Sequence, residues 1–368
     1  MNPHTKQELT SLKSAQGPCS CYSVGVKKIL KRILFALLIL FLVLCSYFFI
    51  GSAPRAEKIN WGVNFSQKHA ENLGISWQKT YLALLDDLKV KNIKLITHWD
   101  LIEPEEGQYN FKDLHWQLKE AQKRGVNVIL VIGMKTGRWP ECHIPDWAEN
   151  LSEEEQQEKV LNLIKKIVLR CQDYSFVNMW QVENEPFFPF GECPKIDKDF
   201  VKEEIGLVKS LDLNRPIIFS DSGEFSLWIN AAKLGDIVGT TLHRKVWFTL
   251  PNFFSKNLGG FKEFGFYVSY PLRPVYYWRK AQIIKKLFNK EVICIELQAE
   301  PWCPNLIYNC SLEEQRKTMN LEQFQKNVEF AKSTGLDTFY LWGAEWWYWL
   351  KEKQSQPEIW NETKRLFE

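Results

Sequence analysis

The segment VNMWQVENEP, residues 177–186, decides the fold of this chain of 368 residues. Its first part, Val177–Val182, is a short and mostly apolar run of the length typical of a buried strand. The run stops at Glu183, Asn184 and Glu185. An apolar strand that ends in a cluster of polar groups is typical of an α/β barrel, where functional side chains lie at the carboxyl ends of the strands.

Short apolar runs of the same kind recur from residue 59 onward and alternate with longer segments of helical periodicity. The predicted strands are Ile59–Phe65, Ile93–Thr97, Val126–Ile132, Val177–Val182, Pro216–Ser220, Ile237–Leu242, Val292–Leu297 and Thr338–Leu341. The clearest predicted helices are Lys79–Lys89, Leu114–Arg124, Glu153–Arg170 and Glu313–Ser333. Eight such repeats predict a (β/α)8 TIM barrel, because strands that are apolar throughout are buried on both faces.

A doubly wound open sheet is the alternative α/β fold. Its first strand is usually followed by a glycine-rich phosphate loop, which the sequence WGVNFS at 61–66 does not provide. The long aromatic stretch Thr249–Trp278 is expected to form an insertion between the sixth and seventh strands and to shape the cleft.

An uncharged apolar run precedes the predicted barrel. Residues 33–50 read ILFALLILFLVLCSYFFI, which is near the lower limit for a helix that crosses a bilayer. Four basic residues come directly before it: Lys27, Lys28, Lys31 and Arg32. By the positive-inside rule we predict a cytoplasmic tail at 1–28, a transmembrane signal anchor at 29–50 and an extracytoplasmic TIM-barrel domain at 57–368. A cleaved signal peptide is the alternative.

The overall composition narrows the class of partner. A net charge of +3 is too small to predict binding to nucleic acid. The chain has 16 Trp, all of them beyond residue 60, and such flat rings suit the binding of sugars as well as core packing. We expect neither a metal nor an organic cofactor, since no spacing of Cys and His suggests a metal site.

Two strands end in glutamates that can act together. The fourth strand leads into Glu183 and Glu185, and the seventh, in VICIELQAEPW at 292–302, leads into Glu296 and then Glu300. The carboxyl ends of barrel strands meet at one mouth, so these side chains are expected to face each other. Cleavage of a glycoside needs such a pair, one acid to protonate the leaving oxygen and one carboxylate to attack the sugar.

The fourth-strand motif WQVENEP resembles that of clan A glycoside hydrolases, which include cellulases, mannanases, xylanases and several β-galactosidases. The stretch HWDLIEPEEGQYNF at 98–111, followed by GVNVILVIG at 125–133, is similar to the W-x-x-x-EP-x-x-G-x-Y-x-F stretch of the β-galactosidase families, as is PDW at 145–147. The resemblance covers nearly all of residues 59–350. The fifth and sixth strands depart from it, since they lack a clear His-x-Tyr pattern.

The resemblance implies roles for individual residues. It implies that Glu185 is the acid/base, that Glu296 is the nucleophile and that Asn184 binds substrate, whereas Glu300 remains a rival nucleophile. The other residues expected to bind substrate are Trp342 on the eighth strand, His243, Trp99 and Trp302. Glu183 is expected to be a buried structural carboxylate paired with a neighbouring strand.

Two cysteine pairs are expected to form disulfides in an exported domain. Cys303 and Cys310 flank a short loop, and Cys142 and Cys193 lie in predicted loops after strands.

Together these observations predict a retaining glycoside hydrolase that cleaves β-linked glycosides in oligo- or polysaccharides at the cell surface. A catalytically inactive barrel that only binds carbohydrate is the alternative, because a fold does not guarantee a function. A structural membrane protein with a hydrolase-like barrel is a third interpretation, which the matched glutamates disfavour. The sugar, the linkage and endo or exo action stay open.

Overall fold

The computed structural model describes residues 20–249 and 265–368, with side chains from residue 27 onward. Residues 1–19 of the predicted tail and 250–264 of the predicted insertion lie outside the described residues. The barrel strands are β1 Asn60–Phe65, β2 Asn92–Ile96, β3 Asn127–Ile132, β4 Val177–Val182, β5 Ile217–Asp221, β6 Ile237–Leu242, β9 Glu291–Gln298 and β10 Thr338–Trp342. Each lies within one residue of its predicted bounds.

These strands close into a parallel barrel in the order β1-β10-β9-β6-β5-β4-β3-β2. Side chains alternate between two cores, as the period of a strand requires. Ile129, Ile218 and Ile295 pack inside the barrel with Tyr340. The alternate positions pack outward against the surrounding helices. Burial on both faces explains the continuous apolar runs of the sequence, and the predicted TIM barrel is confirmed.

The helices are α1 Ser20–Phe49, α2 Gln67–Asn72, α3 Trp77–Asp86, α4 Trp99–Ile102, α5 Lys112–Lys123, α6 Glu153–Cys171, α7 Lys198–Leu211, α8 Ile229–Leu234, α9 Pro274–Phe288, α10 Leu312–Arg316, α11 Leu321–Lys332, α12 Ala344–Gln354 and α13 Glu358–Phe367. The predicted helix Glu313–Ser333 is wrong as one element. It is divided into α10 and α11, because Asn320 caps the second helix by accepting from the backbone N–H of Gln323.

A two-stranded antiparallel hairpin, β7 Lys245–Thr249 and β8 Gly265–Ser269, lies between β6 and β9. The insertion therefore begins before the predicted position Thr249. It also ends earlier than Trp278, since α9 begins at Pro274.

Helix α1 is described separately from the barrel unit, which runs from Gly51 to Glu368. Within the described residues, Lys27–Phe49 is the segment long and apolar enough to cross a membrane. A signal sequence meets the same requirements of length and composition.

The cysteines follow one of the two predicted pairings. Cys142 and Cys193 form a disulfide that joins the loop after β3 to the loop after β4. The predicted bond between Cys303 and Cys310 is wrong for this structure, in which both are free thiols. The Cys310 thiol instead donates to the backbone carbonyl of Asn305.

Candidate active site

The end of β4 turns sharply and presents three consecutive polar side chains. Glu183 and Glu185 both adopt left-handed backbone conformations, with φ values of 57° and 43°. Such conformations are unfavourable for residues with a side chain and persist where surrounding contacts hold them. The Glu185 N–H donates to Ser220 Oγ at 2.8 Å. The Asn184 N–H donates to the carbonyl of Lys135, which fixes the turn against the loop after β3.

Glu185 projects into the mouth of the barrel in an environment that favours its protonated form. Thr241 Oγ1 on β6 lies 3.3 Å from Glu185 Oε1. Burial raises the pKa of Glu185 well above its usual range, and the charges of Glu296, Glu224 and Glu141 raise it further. An acid that keeps its proton near neutral pH can donate it to a leaving group.

Glu296 lies on β9 beside the same threonine and has a cation as its partner. The register of the barrel places Thr241 of β6 next to Glu296. Lys94 Nζ on β2 donates to Glu296 Oε1 at 2.7 Å, and the Lys94 side chain is fully buried. A buried ammonium at this distance balances the negative charge of Glu296. The two predicted catalytic carboxylates thus lie at one mouth, next to Thr241.

Glu300, the rival nucleophile, is bound into a buried ion cluster. Arg138 donates to both Glu300 and Glu345. His69 Nε2 lies 3.3 Å from Glu300 Oε2. Burial opposes the ionisation of Glu300, but the charges of Arg138 and His69 outweigh it and lower its pKa to about 2. Arg138 thus bonds to one oxygen of Glu300, and His69 lies near the other.

Among the described residues, His69, Glu300 and Glu345 are close enough together to hold a metal ion. Arg138 already occupies the space between the two carboxylates, and its guanidinium supplies the positive charge that a metal would bring. We therefore interpret this cluster as a structural ion network.

Asn184 lies in the site, and a third carboxylate that sequence reasoning missed lies beside it. The side-chain oxygen of Asn184 accepts a hydrogen bond from Gln181 Nε2 at 2.9 Å. Glu141 bonds to Asn184, and burial raises the pKa of Glu141 to about 7, opposed by Lys135 and helped by Glu296. Glu141 lies in RWPEC, directly before the disulfide-bonded Cys142, and its position after the third strand was the only signal of a role.

Glu183 is structural, as predicted, but its partners differ from an ion pair. Its carboxylate accepts from the N–H groups of Met134 and Lys135 at 2.7 and 2.6 Å. Gly133 permits this approach, because a Cβ at that position would meet Glu183 Oε1 at 2.1 Å. Burial raises the pKa of Glu183 to about 7. The pKa of Glu204 is raised well above its usual range, first by burial and then by the charge of Glu183. Through its two backbone hydrogen bonds, Glu183 holds the end of β4 against the loop after β3.

His243 and Trp302 lie together at the rim of the mouth. Their ring centroids are 5.0 Å apart, and the side chains are partly exposed. The His243 N–H donates to Glu224 Oε1 at 2.8 Å, and Tyr277 Oη donates to the same oxygen at 3.0 Å. Glu224, in the SDSGE segment after β5, is another carboxylate that the sequence analysis did not assign.

Two tryptophans that were predicted to bind a sugar are largely buried in the structure. Trp99 is 1% exposed, and its indole N–H donates to Glu103 at 2.9 Å, so its ring packs inside the protein. Trp342 is 7% exposed, and the guanidinium of Arg138 lies 3.9 Å from its ring centroid. One face of that ring is therefore covered by Arg138.

Comparison with known families gives a partial match that begins after α2 and ends within α6. Residues 74–159 match the family Glyco_hydro_42, described as beta-galactosidase. None of the curated proteins matches the sequence.

Solved structures of glycosidases share the barrel. GH5_18 from Streptomyces cattleya, in complex with GlcNAc, is 11% identical with a TM-score of 0.54, over 78% of this chain and 70% of that one. Xylanase 10B from Thermotoga petrophila RKU-1, in complex with xylobiose, is 14% identical with a TM-score of 0.51, over 84% and 95%. At these identities the likeness concerns the fold.

A polyextremophilic β-galactosidase from the Antarctic haloarchaeon Halorubrum lacusprofundi is 14% identical with a TM-score of 0.49, over 77% of this chain. This chain spans 52% of the length of that enzyme. The family match and the barrel support a clan A glycoside hydrolase and a glycosidase, in agreement with the sequence prediction.

Proposed function

We propose that the protein is a retaining β-glycosidase in which Glu185 is the acid/base and Glu296 the nucleophile. One observation carries this proposal: Glu185 and Glu296 both lie next to Thr241, and their electrostatic settings are opposite. Glu185 is surrounded by like charges, whereas Glu296 is bonded to the buried Lys94. Neighbouring carboxyls in opposed environments are the arrangement that divides acid from nucleophile in glycosidases.

The reaction proceeds in two steps on these residues. Glu296 attacks the anomeric carbon while Glu185 gives its proton to the leaving oxygen, which forms a covalent glycosyl-enzyme and releases the aglycone. Esterification removes the negative charge of Glu296, so the pKa of Glu185 falls and its carboxylate can activate water. Attack by that water restores Glu296 and retains the anomeric configuration.

Asn184 is the residue whose position best supports a role in binding substrate. It is buried, it directly precedes Glu185 in the sequence, and it lies beside Glu141. His243 and Trp302 form an aromatic edge that suits an outer part of the substrate. Trp342 lies beneath Arg138 and borders the nucleophile through Lys94, whose Nζ is 5.6 Å from the ring centroid. We assign it to the wall of the sugar site.

The proposal of a cell-surface location rests on the apolar part of α1, residues 33–49, and on the four basic residues that precede it within the same helix. We propose that α1 stays as a single-pass anchor with the barrel outside the cytoplasm. Protease added to intact cells is then expected to digest the barrel. Digestion only after lysis contradicts this orientation.

The activity is tested on a panel of aryl β-glycosides, with the anomeric configuration of the first-formed product followed by proton NMR. We expect hydrolysis of at least one sugar with the β configuration retained. An α product contradicts the retaining mechanism. Binding of a β-glycoside without hydrolysis favours the inactive carbohydrate-binding barrel instead.

A further inference from the structure

A groove beside the mouth of the barrel takes no part in the proposed reaction. It has a volume of about 370 Å³ and lies between the loops that follow β4 and β5. Its apolar lining consists of Phe187, Phe188, Phe225, Leu227 and Ile229.

The groove lies next to the turn that carries the proposed acid. Phe188 belongs to the turn that begins at the acid, and its N–H donates to the carbonyl of Glu185 at 2.9 Å. The Phe188 ring stacks on Phe225, with centroids 5.8 Å apart and planes inclined by 7°. Because Glu185 protonates the leaving oxygen, the group attached to that oxygen lies beside Glu185, and the Phe188 ring stands on the turn that follows this residue.

Most of the polar groups that line the groove already have partners within the protein. Asp221 accepts from Ser226 Oγ and from the Ser222 N–H. The side-chain oxygen of Asn230 accepts from Lys198 Nζ at 2.9 Å. A sugar in this groove would find few free groups for its hydroxyls, and hydroxyls that lose water without new partners weaken binding.

The apolar side chains, in contrast, are open to a ligand. Phe225 is 61% exposed and Leu227 is 55% exposed. Neighbouring exposed apolar side chains on a soluble domain mark a binding site more often than isolated ones do.

We infer that this groove is an aglycone site for an alkyl chain, so that the substrate is a β-glycoside with the apolar aglycone of a glycolipid. The inference rests on the proposed glycosidase function and specifies its leaving group. Each methylene that leaves water on binding strengthens binding roughly fourfold. A hexyl glycoside is therefore expected to exceed the methyl glycoside of the same sugar by at least about tenfold in kcat/KM.

The experiment compares methyl and hexyl β-glycosides of whichever sugar the enzyme removes fastest from an aryl glycoside. Both leaving groups are simple alcohols of similar acidity, so the ratio of their kcat/KM values reports on binding of the chain. The same ratio is measured for the double variant Phe225→Ser/Leu227→Ser. Because it is taken within one preparation, a loss of folded enzyme cancels.

Leu213→Ser is the matched control. Leu213 is an aliphatic residue with 77% exposure, and it precedes β5, at the opposite end of that strand from the groove. We expect the hexyl-to-methyl ratio to fall toward one in the double variant and to stay at the wild-type value in the control.

Several results overturn the inference. A wild-type ratio near one, or a ratio that the double variant leaves unchanged, shows that the groove does not bind the chain. A disaccharide of the same sugar that is cleaved with a higher kcat/KM than the hexyl glycoside shows that the site takes a sugar. In each case hydrolysis of aryl glycosides still supports the proposed function, whereas no hydrolysis of any glycoside overturns both.

Discussion

The ends of β4 and β9 each present two glutamates, and the two pairs lie in opposite electrostatic environments. At the end of β9, Glu296 is bonded to Lys94 and Glu300 to Arg138, so each carboxylate has a buried cation. At the end of β4, none of the described cations forms a salt bridge with Glu183 or Glu185, and burial raises both pKa values. The same residue type therefore serves as a carboxylate on one strand and as an acid on the other.

Removal of the nucleophile is expected to have the largest effect. Glu296→Gln removes the attacking oxygen, and we expect kcat/KM to fall by about 10⁴-fold or more, as for loss of a nucleophile elsewhere. Glu300→Gln is the matched variant on the same strand end and is expected to retain far more activity. The measurement is hydrolysis of an aryl β-glycoside, with thermal unfolding to check the fold. A nearly active Glu296→Gln and an inactive Glu300→Gln reverse the assignment.

Loss of the acid/base is expected to be the next largest. Glu185→Ala should slow substrates with poor leaving groups by roughly 10²–10⁴-fold, and activated aryl substrates much less, because these leave without a proton. Azide needs no base to attack the glycosyl-enzyme, so it should restore turnover and yield a β-glycosyl azide. Glu183→Gln serves as the control and should show no azide rescue. Equal slowing of good and poor leaving groups contradicts the role of Glu185.

The lysine beneath the nucleophile provides a sharper test of the contrast. Lys94→Met leaves Glu296 as a buried charge without its partner, and breaking such a pair costs about 3–5 kcal/mol in the free energy of unfolding. The double variant Lys94→Met/Glu296→Gln removes both charges and should regain much of that stability. Chemical denaturation of the four proteins gives the coupling energy. Additive losses in the double variant show that the pair is not coupled.

The strands and the carboxylates at their ends were predictable because both follow from local pattern. Continuous apolar runs predicted strands buried on both faces, and the position after each run located Glu185 and Glu296. Helix ends were harder to predict from the sequence. The break at Asn320 depends on one side-chain cap within a continuous amphipathic pattern.

The partners of the carboxylates were not predictable, because they come from distant parts of the chain. Lys94 lies 202 positions before Glu296, and Arg138 lies 162 positions before Glu300. A lysine within the apolar run NIKLI gives no local sign that it points into the barrel. Likewise, the sequence around Trp99 does not show that its ring is buried on Glu103. Side-chain direction at the ends of strands is decided by such long-range contacts.

The smallest expected effect is a change in the pH profile. It tests whether neighbouring charges raise the pKa of Glu185. The pKa of Glu185 is raised first by burial and then by Glu296 and Glu224. The acid must be protonated, so kcat/KM falls as pH rises through this pKa. Glu224→Gln removes one negative charge but keeps an oxygen that can accept from the His243 N–H and Tyr277 Oη. The pKa of Glu185 should then fall, and the basic limb of the pH profile should move to lower pH. Glu322→Gln, a neutralisation on the exposed face of α11, should leave the limb in place. A limb that stays fixed in Glu224→Gln, or moves to higher pH, shows that the charge of Glu224 does not raise the pKa of Glu185.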